Sequence, residues 1–279
     1  MREFVLVHGA DVKGDMAPMI LLFLFLAAFM SLVMALAWEV ARKPGKSGWT
    51  DTIWSYATGA SGVIAAMGGS GPLARRLLVA GMILGWSLRL GTHILRRTLK
   101  GRDDPRYAEL KREWGAAWEQ RLFRFLQIQA AAGLVLLLSI FAAASNPAPA
   151  LAWGDWAGLV LLLLSVAGEA VADRQLRDFA SVAANQGKVM VHGLWAVSRH
   201  PNYFFEWTGW LAYALIAIGP EFTWPWGYAA LSGPAFIYLL LVHASGIPPT
   251  EAHMLRSRGQ GFRSYQRRVN AFFPGPRRS

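Results

Sequence analysis

No cysteine occurs in the 279 residues, which excludes disulfides, thiolate catalysis and Cys-based metal sites. Charge is scarce as well. Asp, Glu, Lys and Arg make up 16% of the chain, against roughly 25% in a soluble domain. None of the six His falls in H-E-x-x-H spacing, and G-x-S-x-G is missing, so neither a zinc hydrolase nor a serine hydrolase is indicated and no metal is expected. Gly69-Ser70-Gly71-Pro72-Leu73-Ala74 formally fits G-x-G-x-x-A. It holds a Pro and follows no strand, so it is not a dinucleotide fingerprint. No repeat of 20–50 residues and no low-complexity tract is visible.

What fills the chain instead is apolar: 54% of residues are hydrophobic and 13 are Trp. Several runs approach the ~20 residues that cross a bilayer. The expected fold is all-α, a polytopic membrane helix bundle forming a single domain over residues 1–279. About seven transmembrane helices are expected, near 18–41, 52–69, 76–95, 125–145, 155–173, 203–219 and 225–246. The run from Met19 to Trp38 is too long for the apolar core of a cleaved signal peptide. The second segment is rich in Gly, Ser and Thr, which suits close helix packing in lipid. Residues 96–124 read as a charged amphipathic helix on the membrane surface, with Tyr107, Leu110, Trp114 and Trp118 near helical spacing.

The formal net charge of +11 is distributed unevenly. Arg42, Lys43 and Lys46 follow the first segment. Arg96, Arg97, Lys100, Arg102 and further basic residues follow the third, and Arg174, Arg177, Lys188 and Arg199 follow the fifth. The tail is again Arg-rich. Residues 145–153 and 219–224 hold no Lys or Arg, and only Arg75 and Arg76 break the pattern. This asymmetry places the N-terminus outside and the C-terminus in the cytoplasm. It accounts for the basic balance without nucleic acid. The surplus suits anionic membrane lipids or an anionic cofactor.

Polar groups at a membrane helix end usually mark a site, because burying them is costly. Ser198-Arg199-His200-Pro201-Asn202-Tyr203, closed by Glu206, lies where a basic loop meets an aromatic apolar run. Pro201 suits the first turn of a helix, and Asn202 and Glu206, four apart, share one face. The competing reading is an interfacial belt of snorkelling Arg, His and Tyr. Glu169, Asp173 and Arg177 form a second polar stripe at spacings of four, serving either a ligand or an interhelical ion pair. In the tail, Glu251, Tyr265 and Arg268 recur in a basic segment. Arg268 is either a solvated surface residue or a phosphate ligand.

These segments together resemble the C-terminal domain of a superfamily of membrane enzymes. His192-Gly193-Leu194-Trp195, the Arg199-His200-Pro201-Asn202-Tyr203 element with Glu206, and Glu251, Gly259, Phe262, Tyr265, Arg268-Val269 and Pro274 carry the likeness. The superfamily includes steroid 5-alpha-reductases, sterol C14-reductases and isoprenylcysteine carboxyl methyltransferases. Trp86-Ser87-Leu88-Arg89-Leu90-Gly91, Asp103 to Tyr107 and Trp114-Gly115 further resemble a bacterial steroid 5-alpha-reductase-like branch of unknown function. The resemblance thus covers most of the chain, with its cofactor motifs concentrated in 165–279. Asn202 and Glu206 favour the reductase side.

The resemblance implies NADPH as cofactor, held by Glu169, Asp173, Arg177, Arg199, His200, Asn202, Tyr203, Glu206, Glu251, Tyr265 and Arg268. It implies reduction of an activated C=C bond in a lipophilic substrate that enters from the bilayer. It also implies a bacterial inner-membrane location with the site facing the cytoplasm. No obligate protein partner is indicated. The chain departs from steroid 5-alpha-reductases in one respect: their substrate-holding Tyr on the third segment is matched by Trp86, and the second segment has no Glu. Tyr56 and Asp51 are the nearest replacements, with Tyr56 as hydrogen-bond donor to a developing enolate. Two alternatives stand beside this reading. One is an S-adenosylmethionine-dependent methyltransferase of a lipid or prenylated substrate. The other is a non-enzymatic sterol- or lipid-binding membrane protein.

Overall fold

The computed structural model describes residues 12–43, 47–99, 105–219 and 224–278. Lys46, Lys100, Arg102 and Asp103–Asp104 lie outside the described residues, as does most of 219–224. Among the described residues the secondary structure is helical, with no strand. The long helices are α1 (Val12–Ala41), α2 (Trp49–Met67), α3 (Leu73–Thr98), α5 (Trp118–Ala144), α6 (Trp153–Ser181), α7 (Pro201–Ile218) and α9 (Ile247–Arg268). Two shorter ones, α4 (Pro105–Trp114) and α8 (Ser232–Tyr238), complete the set.

Five stretches are long and apolar enough to cross a membrane: Met16–Ala41, Leu73–Thr98, Tyr107–Ala144, Trp153–Ser181 and Pro225–Arg268. The expected second and sixth segments do fold as helices, α2 and α7. Their hydroxyl, Gly and acidic residues keep them out of that group. Helix α1 shows how an apolar stretch serves two faces. Leu26, Met30, Met34 and Ala37 recur every three or four residues and are buried, whereas Leu21 is 66% and Leu24 61% exposed. So much bare apolar surface is compatible with an integral membrane protein, in which lipid would cover it.

Three expectations change. The segment 96–124 is not one surface helix. Gly115, at φ +50°, ends α4, and a 3₁₀ turn at Gly115–Ala117 redirects the chain into α5. Tyr107 and Trp118 are then buried among α1 and α5 side chains rather than lying on a surface. The last segment, expected at 225–246, is irregular. It runs through a 3₁₀ turn at Pro225–Leu231, the short α8 and a π turn at Leu239–Ala244.

The third change concerns Arg75. It is fully buried, and its guanidinium grips Asp155 through Nε to Oδ1 at 2.8 Å and Nη2 to Oδ2 at 2.9 Å. The remaining N–H groups donate to the carbonyls of Asn146, Ala148 and Ala150 at 2.7–2.9 Å. Asp155 also accepts the Ala152 backbone N–H at 2.8 Å, closing the first turn of α6. This cation is cancelled by its partner and ties the loop after α5 to α3 and α6. It therefore carries no surface charge that bears on orientation.

Helices α2 and α3 pack closely because small residues meet. A methyl added at Gly62 would lie 2.6 Å from Ile83 Cγ1, and one at Gly59 would overlap the Ser87 hydroxyl. Gly62→Ala should therefore lower the thermal midpoint of detergent-purified protein, by about 1–3 kcal/mol of overpacking. Gly81→Ala, with nothing within 4 Å of the added carbon, should not destabilise it. Equal midpoints for both variants would contradict the close α2–α3 contact.

Candidate functional site

The polar stripe of α6 faces α3 and α7. Glu169 and Asp173, one turn apart, both pair with Arg89 of α3: Nη1 binds the Glu169 carboxylate, and Nη2 lies 2.6 Å from Asp173 Oδ2. All three side chains are largely buried, at 16%, 9% and 12% exposure for Arg89, Glu169 and Asp173. Burying carboxylates in this way requires the guanidinium between them. His93, one turn further along α3, brings Nε2 to 3.8 Å from Asp173.

Helix α7 supplies the other wall. Pro201 occupies its first turn, as the sequence suggests, which sets Asn202 at the helix mouth. Asn202 Nδ2 donates to Asp173 Oδ1 at 3.3 Å, and its Oδ1 is buried with no hydrogen-bond partner among the described residues. Glu206 sits one turn deeper. It accepts the Trp86 indole N–H at 3.0 and 3.1 Å and the Trp210 indole N–H at 2.9 Å. The two indoles pack edge to face, with ring centres 5.4 Å apart. Both are rigid donors, so the Glu206 carboxylate is held in place.

A second polar group locks the tail beneath the mouth of α7. Arg199 Nε donates to Glu251 Oε1 at 2.7 Å, and its Nη1 caps the carbonyls of Val269 at 2.6 Å and Gln266 at 3.1 Å. His200 Nε2 lies 3.0 Å from Glu251 Oε1, and its ring stacks on Tyr203. Gln266 donates to Glu251 Oε2 at 2.6 Å. Tyr265 is buried and donates to the Trp195 carbonyl at 2.5 Å, and burial raises its hydroxyl above the ordinary value. Ser198 Oγ donates to the Phe272 carbonyl at 2.8 Å.

The structure thus brings Trp86, Glu169, Asp173, Asn202 and Glu206 into one cluster. Arg199, His200, Tyr203, Glu251 and Tyr265 form an adjoining hub. Arg177 and Arg268 do not join either group among the described residues and are exposed, with Arg268 Nε donating to the Ser264 carbonyl at 3.3 Å. Tyr56 and Asp51 lie elsewhere along α2. The Tyr56 hydroxyl shares a 3.2 Å hydrogen bond with Thr92, and Asp51 accepts the Tyr107 hydroxyl at 2.9 Å. Arg89, Trp210 and Gln266 are the site residues that sequence reasoning missed. A lone Arg inside the apolar α3 run was the available signal. No group of three or more His, Asp or Glu placed to hold a metal ion is found among the described residues.

The chain belongs to the family described as protein of unknown function (DUF1295), whose model matches residues 37–269. Comparison with curated proteins and with solved structures returns no match.

Glu251 lies past the apolar part of the Pro225–Arg268 stretch, in the polar helix α9, which carries Arg256, Arg258, Arg263, Arg267 and Arg268. Burial alone would raise its carboxyl. Hydrogen bonds from His200, Arg199 and Gln266 outweigh burial and lower it from 4.5 to about 2. The folded value is depressed, so its contribution is fully present above the unfolded value of 4.5 and is lost as pH falls towards 2. Glu251→Gln should therefore lower the thermal midpoint at pH 7, by on the order of 3 kcal/mol. The gap from wild type should narrow between about pH 4.5 and pH 2. A gap that stays constant across that range would remove the carboxylate's role.

Proposed function

We propose that this protein is an NADPH-dependent reductase of an activated C=C bond in a lipophilic, steroid- or enone-like substrate. The observation that supports it most is the Asn202 amide. Its oxygen is buried without a partner among the described residues, beside the carboxylates of Asp173 and Glu206, at the mouth of a helix. Such an acceptor suits the N–H of a carboxamide, so the residues present fit a nicotinamide. NADPH, when bound, would supply the hydride.

The chain's own groups would hold and orient it. Asn202 would accept one carboxamide N–H, and Glu206, steadied by Trp86 and Trp210, would accept another. Exposed arginines such as Arg96, Arg97, Arg177 and Arg268 suit the phosphates, which guanidinium binds bidentately. Trp86 acts in this reading as a positioning group for Glu206, since its N–H is already committed. Tyr56, in contact with Thr92, is the α2 hydroxyl assigned to a substrate carbonyl, and Asp51 supports the helix through Tyr107. The substrate would enter between helices from the bilayer.

In this reading the protein spans a bacterial inner membrane about seven times, with α2 and α7 crossing as part of the bundle. The polar cluster faces the cytoplasm, following the Lys and Arg asymmetry. The exposed Ala150 and Gln186 report on the two sides. A cysteine replacing Ala150 should react with an impermeant maleimide from outside the cell, and one replacing Gln186 should not. The reverse pattern would overturn the orientation.

Thermal shift of purified protein against NADPH, NADH and S-adenosylmethionine tests the cofactor. NADPH at 100 times its Kd should stabilise by about 2.7 kcal/mol. Asn202→Ala should weaken NADPH about 5–150-fold, the effect of about 1–3 kcal/mol. Unchanged affinity would end the Asn202 assignment. Binding of S-adenosylmethionine with neither nucleotide would move the protein to the methyltransferase class.

A further inference from the structure

The buried cluster is electrostatically unbalanced. Glu169 and Asp173 share a single largely buried guanidinium, Arg89, which ion-pairs with both, and Glu206 has no ion pair of its own among the described residues. The hydrogen bonds that Glu206 accepts come from the neutral N–H groups of Trp86 and Trp210. These use part of its acceptor capacity, and no cation pairs with it directly among the described residues. His93, with its side chain 38% exposed and 3.8 Å from Asp173, can offset at most one further charge.

One polar atom points to a ligand there, the buried Oδ1 of Asn202, which lacks a donor among the described residues. Asp173 accepts the other end of the same amide at 3.3 Å, and Glu206 stands one turn further along α7. Carboxylates therefore flank the turn of helix in which Asn202 needs a donor.

We propose that this site distinguishes the redox states of its nicotinamide, holding the oxidised, cationic ring more tightly than the reduced, neutral one. The inference rests on the nicotinamide reading above. Both forms carry the same amide and the same phosphates, so Asn202 and the arginines do not discriminate between them. The ring charge does. At an effective dielectric constant of about 20, a carboxylate with no paired cation changes the affinity of a nearby cationic ring by about tens-fold. Arg89 and His93 oppose part of this, leaving a preference of about tenfold. The consequence for the chain is that Glu206 favours departure of hydride from the bound ring by stabilising the charge that remains.

The test is calorimetric titration of the full-length, detergent-purified protein with NADP+ and with NADPH. The NADPH Kd should exceed the NADP+ Kd by about tenfold. Glu206→Gln, which keeps the shape and removes the charge, should shrink that ratio at least about threefold. Asp173→Asn should shrink it in the same direction and serves as a second variant if the first does not fold. The wild-type ratio stands in either case. Equal Kd values for the two nucleotides, or tighter NADPH, would overturn the proposal while leaving the nicotinamide site intact. A wild-type preference that survives both neutralisations would also overturn it. Failure of both nucleotides to bind would instead remove the nicotinamide reading itself.

Discussion

The ion pair between Arg89 and the carboxylates of Glu169 and Asp173 is the constraint on which the polar interior depends. Three helices contribute to it or touch it. An unpaired carboxylate at that depth would be severely penalised, so α3 and α6 must keep their register. Asn202 then joins through Asp173, and α7 follows. The same guanidinium that fixes the packing is the cation that pairs with both acids of the stripe, so structure and chemistry compete for one group.

A second buried arginine shows what full compensation looks like. Arg75 has one acid, Asp155, and three backbone carbonyls, and its donors are used. Its place is closed and neutral. Arg89 has two acids on its own account and a third, Glu206, within its field. One end of the bundle is therefore sealed by a balanced pair, and the polar cluster carries an excess of negative charge. That contrast separates an architectural ion pair from a candidate site more clearly than burial does, because both are buried.

Much of this arrangement was legible in the sequence. The spacing of Asn202 and Glu206 after Pro201 gave their shared face and their place at a helix mouth. The stripe of Glu169 and Asp173 was visible at helical spacing. Its partner was not, because Arg89 stands 84 residues from Asp173 and spacing reports only local neighbours. Arg177, which continues the stripe four residues from Asp173, lies where α6 has reached an exposed setting, where water competes for its charge. Tyr107 was read as surface-bound because its helical spacing was considered without Gly115. The bend at that glycine turns the ring inward. Irregular backbone at Leu239–Ala244 left no trace in the apolar pattern, since a π turn and an α-helix use the same residue types.

The hub beneath α7 has a consequence for how the molecule is made. Arg199, His200 and the start of α7 emerge from the ribosome well before Glu251, Gln266 and the carbonyls of Val269 and Phe272 that satisfy them. During that interval a cation and an imidazole at the start of α7 await partners some fifty to seventy residues downstream. Biogenesis therefore finishes from the C-terminal side. The bundle can insert helix by helix, but the mouth of α7 acquires its final shape only when the last stretch of chain folds back underneath it.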